Sequence, residues 1–320
     1  MIKGDMLNTD SPQIISLGYH GTGARVVRVH HIPAVGESVR AWDFQIIKDG
    51  GKGSHQAMVI GKYGGSVGFI GKMGIDEQSD EAITWLIEHN VDIRNLLRVE
   101  YKGRGSGLIL VDDNGDNAII SVDDIRKTLT FEEVQPLIKN YEQAQVFITG
   151  FEIPEETALS SAKFAKSLGQ ITILNPSPAP IQPMENLCFI DFLVPNETEA
   201  KVLLGIESDE YVEPMTLAKS LVEKFNVGNV ILTLGSRGAL FFNRDESFIV
   251  DPFKIEAVDP IGAGDTFLGS FVFAYWVEHL TIFESLVWAN AAAAISVSRK
   301  GSIPSFPTRD EVNKYILSNK

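Results

Sequence analysis

Asp259-Pro260-Ile261-Gly262-Ala263-Gly264-Asp265-Thr266-Phe267 reads as a glycine-hinged turn that runs into an apolar helix. Phe267, Leu268, Phe271, Val272, Tyr275 and Trp276 repeat at spacing four, which puts them on one buried face. The glycines let the backbone turn tightly and gather N–H groups into one concavity at a helix N-terminus. Such a concavity binds anions, phosphate above all. Asp265 sits inside it and reads as a catalytic base beside a phosphoryl group about to move. The plainer alternative is an N-capping Asp after a glycine loop.

Outward from this turn, short apolar runs alternate with helical patterns. Strands are expected at 14–18, 67–71, 146–149, 171–174, 191–194 and 230–234. Helices are expected at 53–63, 78–88, 155–168, 197–204 and 214–225. The alternation implies an α/β fold, a mostly parallel sheet with helices on both faces. Two regions break it. Val26-Val27-Arg28-Val29 with Trp42 to Ile47, and Gly107 to Val111 with Ala118 to Val122 across an Asn114-Gly115 turn, carry hairpin signals. They read as one small β-sheet lid built from two excursions, 25–48 and 101–122, on a core of 14–24, 49–100 and 123–315.

The chain has 320 residues, is 44% hydrophobic and has a formal charge of -14. The acidic balance argues against nucleic acid and anionic membrane as partners. An anionic ligand must then be held by local N–H groups, a few Lys or Arg, and metal ions. The single cysteine, Cys188, excludes an internal disulfide and reads as buried filler in an apolar run. No signal-peptide pattern or membrane-span-length run is found, so a cytoplasmic protein is expected.

Three further elements carry chemistry. Asp49-Gly50-Gly51-Lys52-Gly53-Ser54-His55-Gln56 opens a helix, with glycines that permit a ligand close to the backbone, but without Walker A spacing. Asn196-Glu197-Thr198-Glu199 lies where a strand end enters a helix; Asn196 is an ordinary N-cap, and Glu199 also suits hydrated Mg²⁺. Thr233-Leu234-Gly235-Ser236-Arg237-Gly238 is a strand running into a glycine turn that could cradle a nucleotide. His30-His31 lacks a Cys partner and reads as a solvated or lid-packed pair.

Taken in this order and at these separations, the four elements resemble the PfkB or ribokinase family of carbohydrate kinases, over about 14–308. The resemblance implies a kinase that phosphorylates a primary hydroxyl of a small sugar with ATP, Mg²⁺ and K⁺. It implies Asp265 as the base and Gly262, Ala263 and Gly264 as the anion hole. It implies Asn196 and Glu199 at the triphosphate and its Mg²⁺, with Thr233, Gly235, Ser236 and Gly238 around the nucleotide. It implies K⁺ near Asp259, Ile261, Ser296, Gly301 and Ser305, and sugar near Gly51, Lys52 and Glu152. Such lids often pair two subunits, so a homodimer is expected. A nucleoside kinase and a non-catalytic nucleotide- or sugar-binding member are the alternatives.

The chain departs from the family at the sugar. Ribokinases carry an Asn and an Asp after the first strand; here no Asp or Asn occurs between Gly18 and Trp42, and His55 stands where Asn is usual. His20, Arg25, Arg28, His55 and Arg104 are the replacements. They imply a substrate with other hydroxyl stereochemistry or an anionic group gripped by Arg25. The alternative is that these side chains face solvent.

Overall fold

The computed structural model describes residues 11–100, 107–114, 116–121, 125–180, 184 and 186–319. Expectations that fall on Arg104, Gly115 and Val122 lie outside them. β1 (Ile14–Leu17), β4 (Val67–Gly74), β9 (Val146–Gly150), β10 (Ile171–Asn175), β11 (Phe192–Leu193) and β12 (Asn229–Thr233) pair in parallel, in the order β12-β11-β10-β9-β1-β4. β5 (Val91–Asp92) and β6 (Leu96–Val99) add parallel pairs to β4. β13 (Ala239–Phe242) and β14 (Ser247–Val250) extend the other edge antiparallel, an extension the sequence reading did not anticipate.

Alternate residues of the central strands enter two separate cores, so both faces of the sheet must be apolar. Ile14, Phe69, Ile148 and Ile231 pack with α1 (Lys52–Lys62), α2 (Glu77–Glu88), α7 (Ala263–Val272) and α8 (Ile282–Val297). Ile15, Leu17, Phe147 and Leu232 pack with α3 (Phe131–Lys139), α4 (Glu155–Ser167), α5 (Glu197–Leu204) and α6 (Pro214–Phe225). α9 (Arg309–Ser318) closes the chain. Among the described residues, no helix is long and apolar enough to cross a membrane.

A separate four-stranded sheet has the order β3-β2-β7-β8, from β2 (Ala24–Val29), β3 (Ala41–Ile47), β7 (Gly107–Val111) and β8 (Asn117–Ser121). β2 joins the two hairpins by pairing in parallel with β7, so both excursions build one lid. Trp42, Phe44 and Ile46 alternate on one face, in register through Val27 and Arg25 with Leu110 and Leu108 of β7.

α7 is buried on all sides through Phe267, Phe271 and Val272, as a helix between α1 and α8 must be. After Val272 the helix widens into a π turn over Phe273–Val277, and Tyr275 and Trp276 are only half-buried. α1 and α7 approach closely because Gly269 has no side chain: a Cβ there would lie 2.9 Å from the Gln56 carbonyl oxygen and 3.0 Å from Val59 Cβ. Gly269→Val should force the two helices apart, lowering stability by about 1–3 kcal/mol in urea unfolding, and should also reduce activity.

Candidate active site

The turn before α7 is pinned by Asp259. Its carboxylate accepts the Ile261 N–H at 3.0 Å and the Gly301 N–H at 2.9 Å. Gly262 has φ +79°, left-handed backbone that suits glycine. The Ala263 N–H reaches the Pro260 carbonyl at 3.2 Å, whereas the N–H groups of Gly264 and Asp265 have no backbone acceptor among the described residues. Outside its own helix, no heavy atom lies within 4 Å of where a Gly264 Cβ would be. The first turn of a buried helix thus offers unpaired donors and its positive dipole end to open space, which suits a phosphate.

Asp265 is only 5% exposed. Its Oδ2 lies 3.0 Å from His55 Nδ1, and its Oδ1 accepts a longer, 3.4 Å contact from Gln56 Nε2. His55 Nε2 lies 3.2 Å from Asp49 Oδ1 and 3.0 Å from the Gly50 nitrogen. Ser302 Oγ in turn donates to Asp49 Oδ1 at 2.8 Å. Burial would lower the His55 pKa, but the hydrogen bonds and charges of Asp265 and Asp49 outweigh it and push it up to about 9. Burial would raise the Asp49 carboxyl, and His55 and Ser302 instead hold it below the usual range.

Next to this group lies a narrow crevice whose lining includes Leu17, Gly18, Lys52, Gln56, Glu152, Asn175 and Ser177. Gln56 belongs to both, linking the crevice to Asp265. Glu152 sits at the N-terminus of α1, where its Oε2 accepts the Lys52 N–H at 2.6 Å. Gly51 is required for that approach, since a Cβ would meet Tyr19 and come within 3.0 Å of Glu152 Oε2.

On the other side, an isolated parallel bridge joins Asn196 to Thr233. Asn196 Oδ1 accepts the Glu199 N–H at 2.8 Å and Glu199 Oε2 accepts the Asn196 N–H at 2.9 Å, a reciprocal cap that buries Glu199. Gly235 and Gly238 have positive φ; the space around Gly235 is open, while Gly238 packs against the Val250 carbonyl. Ser236 lies between them on an exposed single turn, Gly235–Arg237, and Arg237 pairs with Glu197. Behind α7, Ser296 Oγ and Ser305 Oγ lie 2.8 Å apart and Thr266 Oγ1 donates to Ser296 at 3.3 Å. Among the described residues, no group of three or more His, Cys, Asp or Glu side chains could hold a metal; the oxygens near α7 come instead from Asp259 and these serines.

Several sequence expectations change. His20 does not face solvent and does not line the crevice. It is buried, with Nε2 2.8 Å from the Ala82 carbonyl, Nδ1 2.9 Å from Ser54 Oγ, and edge contacts to Phe69 and Trp85. The carbonyl fixes the Nε2–H tautomer, and burial drives its pKa down to about 4. His55 is buried too, so the solvent-facing alternative fails for both histidines. Arg25 lies on β2, on the face shared with Ile46 and Leu108, and is not among the residues that line the crevice. Cys188, expected as buried filler, is exposed because the run turns at Cys188-Phe189 and only Leu187 and Ile190 point inward. His30 and His31 are exposed and pair with Asp113 and Glu37. The sequence reading gave no role to Asp49, Gln56, Asn175, Ser177 or Ser302, although Asp49 and Gln56 stand in the Gly50-Gly51 motif already singled out.

A match to the pfkB family carbohydrate kinase spans residues 38–309. A deoxyribokinase from Salmonella typhi is 32% identical over 296 residues, covering 92% of this chain and 96% of that protein. The crystal structure of a ribokinase from Thermotoga maritima is similar at TM-score 0.84 and 31% identity, covering 96% of this chain and 99% of that one. An Arabidopsis thaliana ribokinase complexed with ribose and ATP is similar at TM-score 0.83 and 27% identity, with the same coverage.

The two buried histidines bound stability from opposite sides. His20 is neutral when folded, so its contribution is complete above pH 6.5 and is lost as pH falls toward about 4. His55 is charged when folded, so its contribution is complete below pH 6.5 and is lost as pH rises through about 9. Urea unfolding at stepped pH should show both limbs, each with a slope of about 1.4 kcal/mol per unit per proton. His55→Asn should flatten the alkaline limb and leave the acid limb in place.

Proposed function

Since the chain belongs to the pfkB family of carbohydrate kinases, we propose that it transfers the γ-phosphoryl group of ATP to a primary hydroxyl of a small sugar in the crevice beside Gln56. The observation that carries this reading is the juxtaposition of Asp265 with the open first turn of α7. One sugar hydroxyl at the Oδ1 edge of Asp265 would lie next to a phosphate held by the Gly262, Ala263 and Gly264 backbone. The hydroxyl proton passes to Asp265 as its oxygen bonds to phosphorus. The bond from phosphorus to the bridging oxygen breaks, and ADP leaves with that electron pair. Positioning and charge stabilisation supply most of the acceleration in such a transfer.

Asn196, Glu199, Thr233, Gly235, Ser236 and Gly238 form the proposed nucleotide side. Glu199 keeps one oxygen, Oε1, beyond its cap and can face hydrated Mg²⁺, which would neutralise triphosphate charge. Asp259, Ile261, Ser296, Gly301 and Ser305 would hold K⁺, the side-chain oxygens coming from Asp259 and the paired Ser296 and Ser305. On the sugar side, Gly51, Lys52 and Glu152, with Asn175 beside them in the crevice, are left to read hydroxyls without the Asn and Asp that ribokinases add after the first strand. A pattern different from D-ribose is therefore the expected preference, since sites built on hydrogen bonds reject mismatched hydroxyls strongly. Trp42, Phe44 and Ile46 expose 54%, 58% and 60% of their surface; a second copy of this chain laid on the lid would cover them.

ADP release should be measured with ATP against pentoses, 2-deoxypentoses, hexoses, sugar acids and nucleosides. Turnover is expected on a sugar, and Asp265→Asn should lower kcat by about 10²–10⁴-fold with nucleotide binding retained. Full activity in that variant would remove Asp265 as the base. Sedimentation should give a dimer, and Phe44→Glu should shift it to monomer.

A further inference from the structure

At position 55, where the family usually carries an Asn, this chain carries His. His55 is buried, and its ring edge packs on Phe306. Its two nitrogens are directed at carboxylates, Nδ1 to Asp265 at 3.0 Å and Nε2 to Asp49 at 3.2 Å. The ring is absent from the crevice lining, whereas its neighbour Gln56 is part of it. We infer that His55 is a positioning residue: it fixes the carboxylate of the phosphoryl-transfer base through an Asp49–His55–Asp265 chain and does not read the sugar. This rests on the kinase reading given above.

The proton inventory supports one invariant. In the neutral ring, Nε2 accepts the Gly50 N–H and the proton sits on Nδ1. In the charged ring, the Nε2–H turns to Asp49, the Gly50 N–H loses that acceptor, and Nδ1 still carries its proton. Asp265 Oδ2 therefore receives an N–H donor in both states. Oδ1, with only the long Gln56 contact, is the oxygen left to take the hydroxyl proton. The titratable groups that face the ring are Asp265 from α7 and Asp49 from the loop after β3, with His20 from the loop after β1 acting through space. Two carboxylates against one distant, neutral imidazole favour the imidazolium. At neutral pH the cation also offsets the negative charge of Asp265 beside a polyphosphate. His55 keeps its proton through the reaction; its effect is on where Asp265 points.

Two experiments decide it, one without turnover. In the first, the His55 Cε1–H resonance, assigned from the His55→Asn spectrum, is titrated in the wild-type protein and in Asp265→Asn. The expected result is a midpoint near 9 in the wild type, lowered in the variant. A midpoint that Asp265→Asn leaves in place overturns the proposal, whether or not any sugar is turned over. In the second, kcat and KM are compared for His55→Leu and His55→Asn on the best sugar. Leu, which removes the donor, should cost about 10- to 100-fold in kcat with the sugar KM little changed. Asn, whose amide N–H can stand in for Nδ1–H, should recover most of it. A rise in sugar KM at unchanged kcat would make His55 a sugar reader, and equal kcat for Leu and Asn would remove the donor role. Absence of turnover on every sugar would count against the kinase reading alone, since the titration stands by itself.

Discussion

The contact between α1 and α7 is the constraint on which the site depends. Two helices begin side by side at glycine turns, and Gly269 lets them close until backbone meets side chain. Their N-termini then share one wall but are used differently. The start of α1 is already occupied by Glu152, whose carboxylate takes the Lys52 N–H. The start of α7 leaves the N–H groups of Gly264 and Asp265 without a backbone acceptor among the described residues. One helix end is closed with a fixed charge and the other is left open, so the polar crevice and the proposed phosphate position fall next to each other.

The alternation of strand and helix was legible because a two-sided sheet demands continuous apolar runs, and 14–18 or 230–234 can satisfy nothing else. The lid was legible for the opposite reason. Alternating residues such as Trp42, Phe44 and Ile46 announce a sheet with one face uncovered. α8 escaped notice because it is alanine-rich and apolar on nearly every side, so it has no amphipathic period to detect. β13 and β14 escaped because an antiparallel return at a sheet edge needs only short strands. Cys188 was misplaced because an apolar run says nothing about the turn that interrupts it.

For the site, what could be read were the residues whose role is local: the turn at Gly262–Gly264, the cap at Asn196–Glu199, the glycines at Gly50-Gly51. What could not be read were pairs far apart in sequence. His55 meets Asp265 across 210 residues and Ser302 meets Asp49 across 253. No spacing rule reaches that far, because those contacts exist only once both cores have formed. Basic character was also a poor guide at His20 and His55: one is kept neutral by burial and the other is charged by its neighbours.

His20 has a consequence of another kind. Its ring bridges the loop after β1 to both α1 and α2, wedged between Phe69 and Trp85. An acidic residue in its place would set a carboxylate against the Ala82 carbonyl and two aromatic edges, without the donor that joins loop to helix. Position 20 therefore works as a hinge pin of the scaffold: a replacement there would loosen the loop after β1 from both helices before it could offer a new group to any ligand.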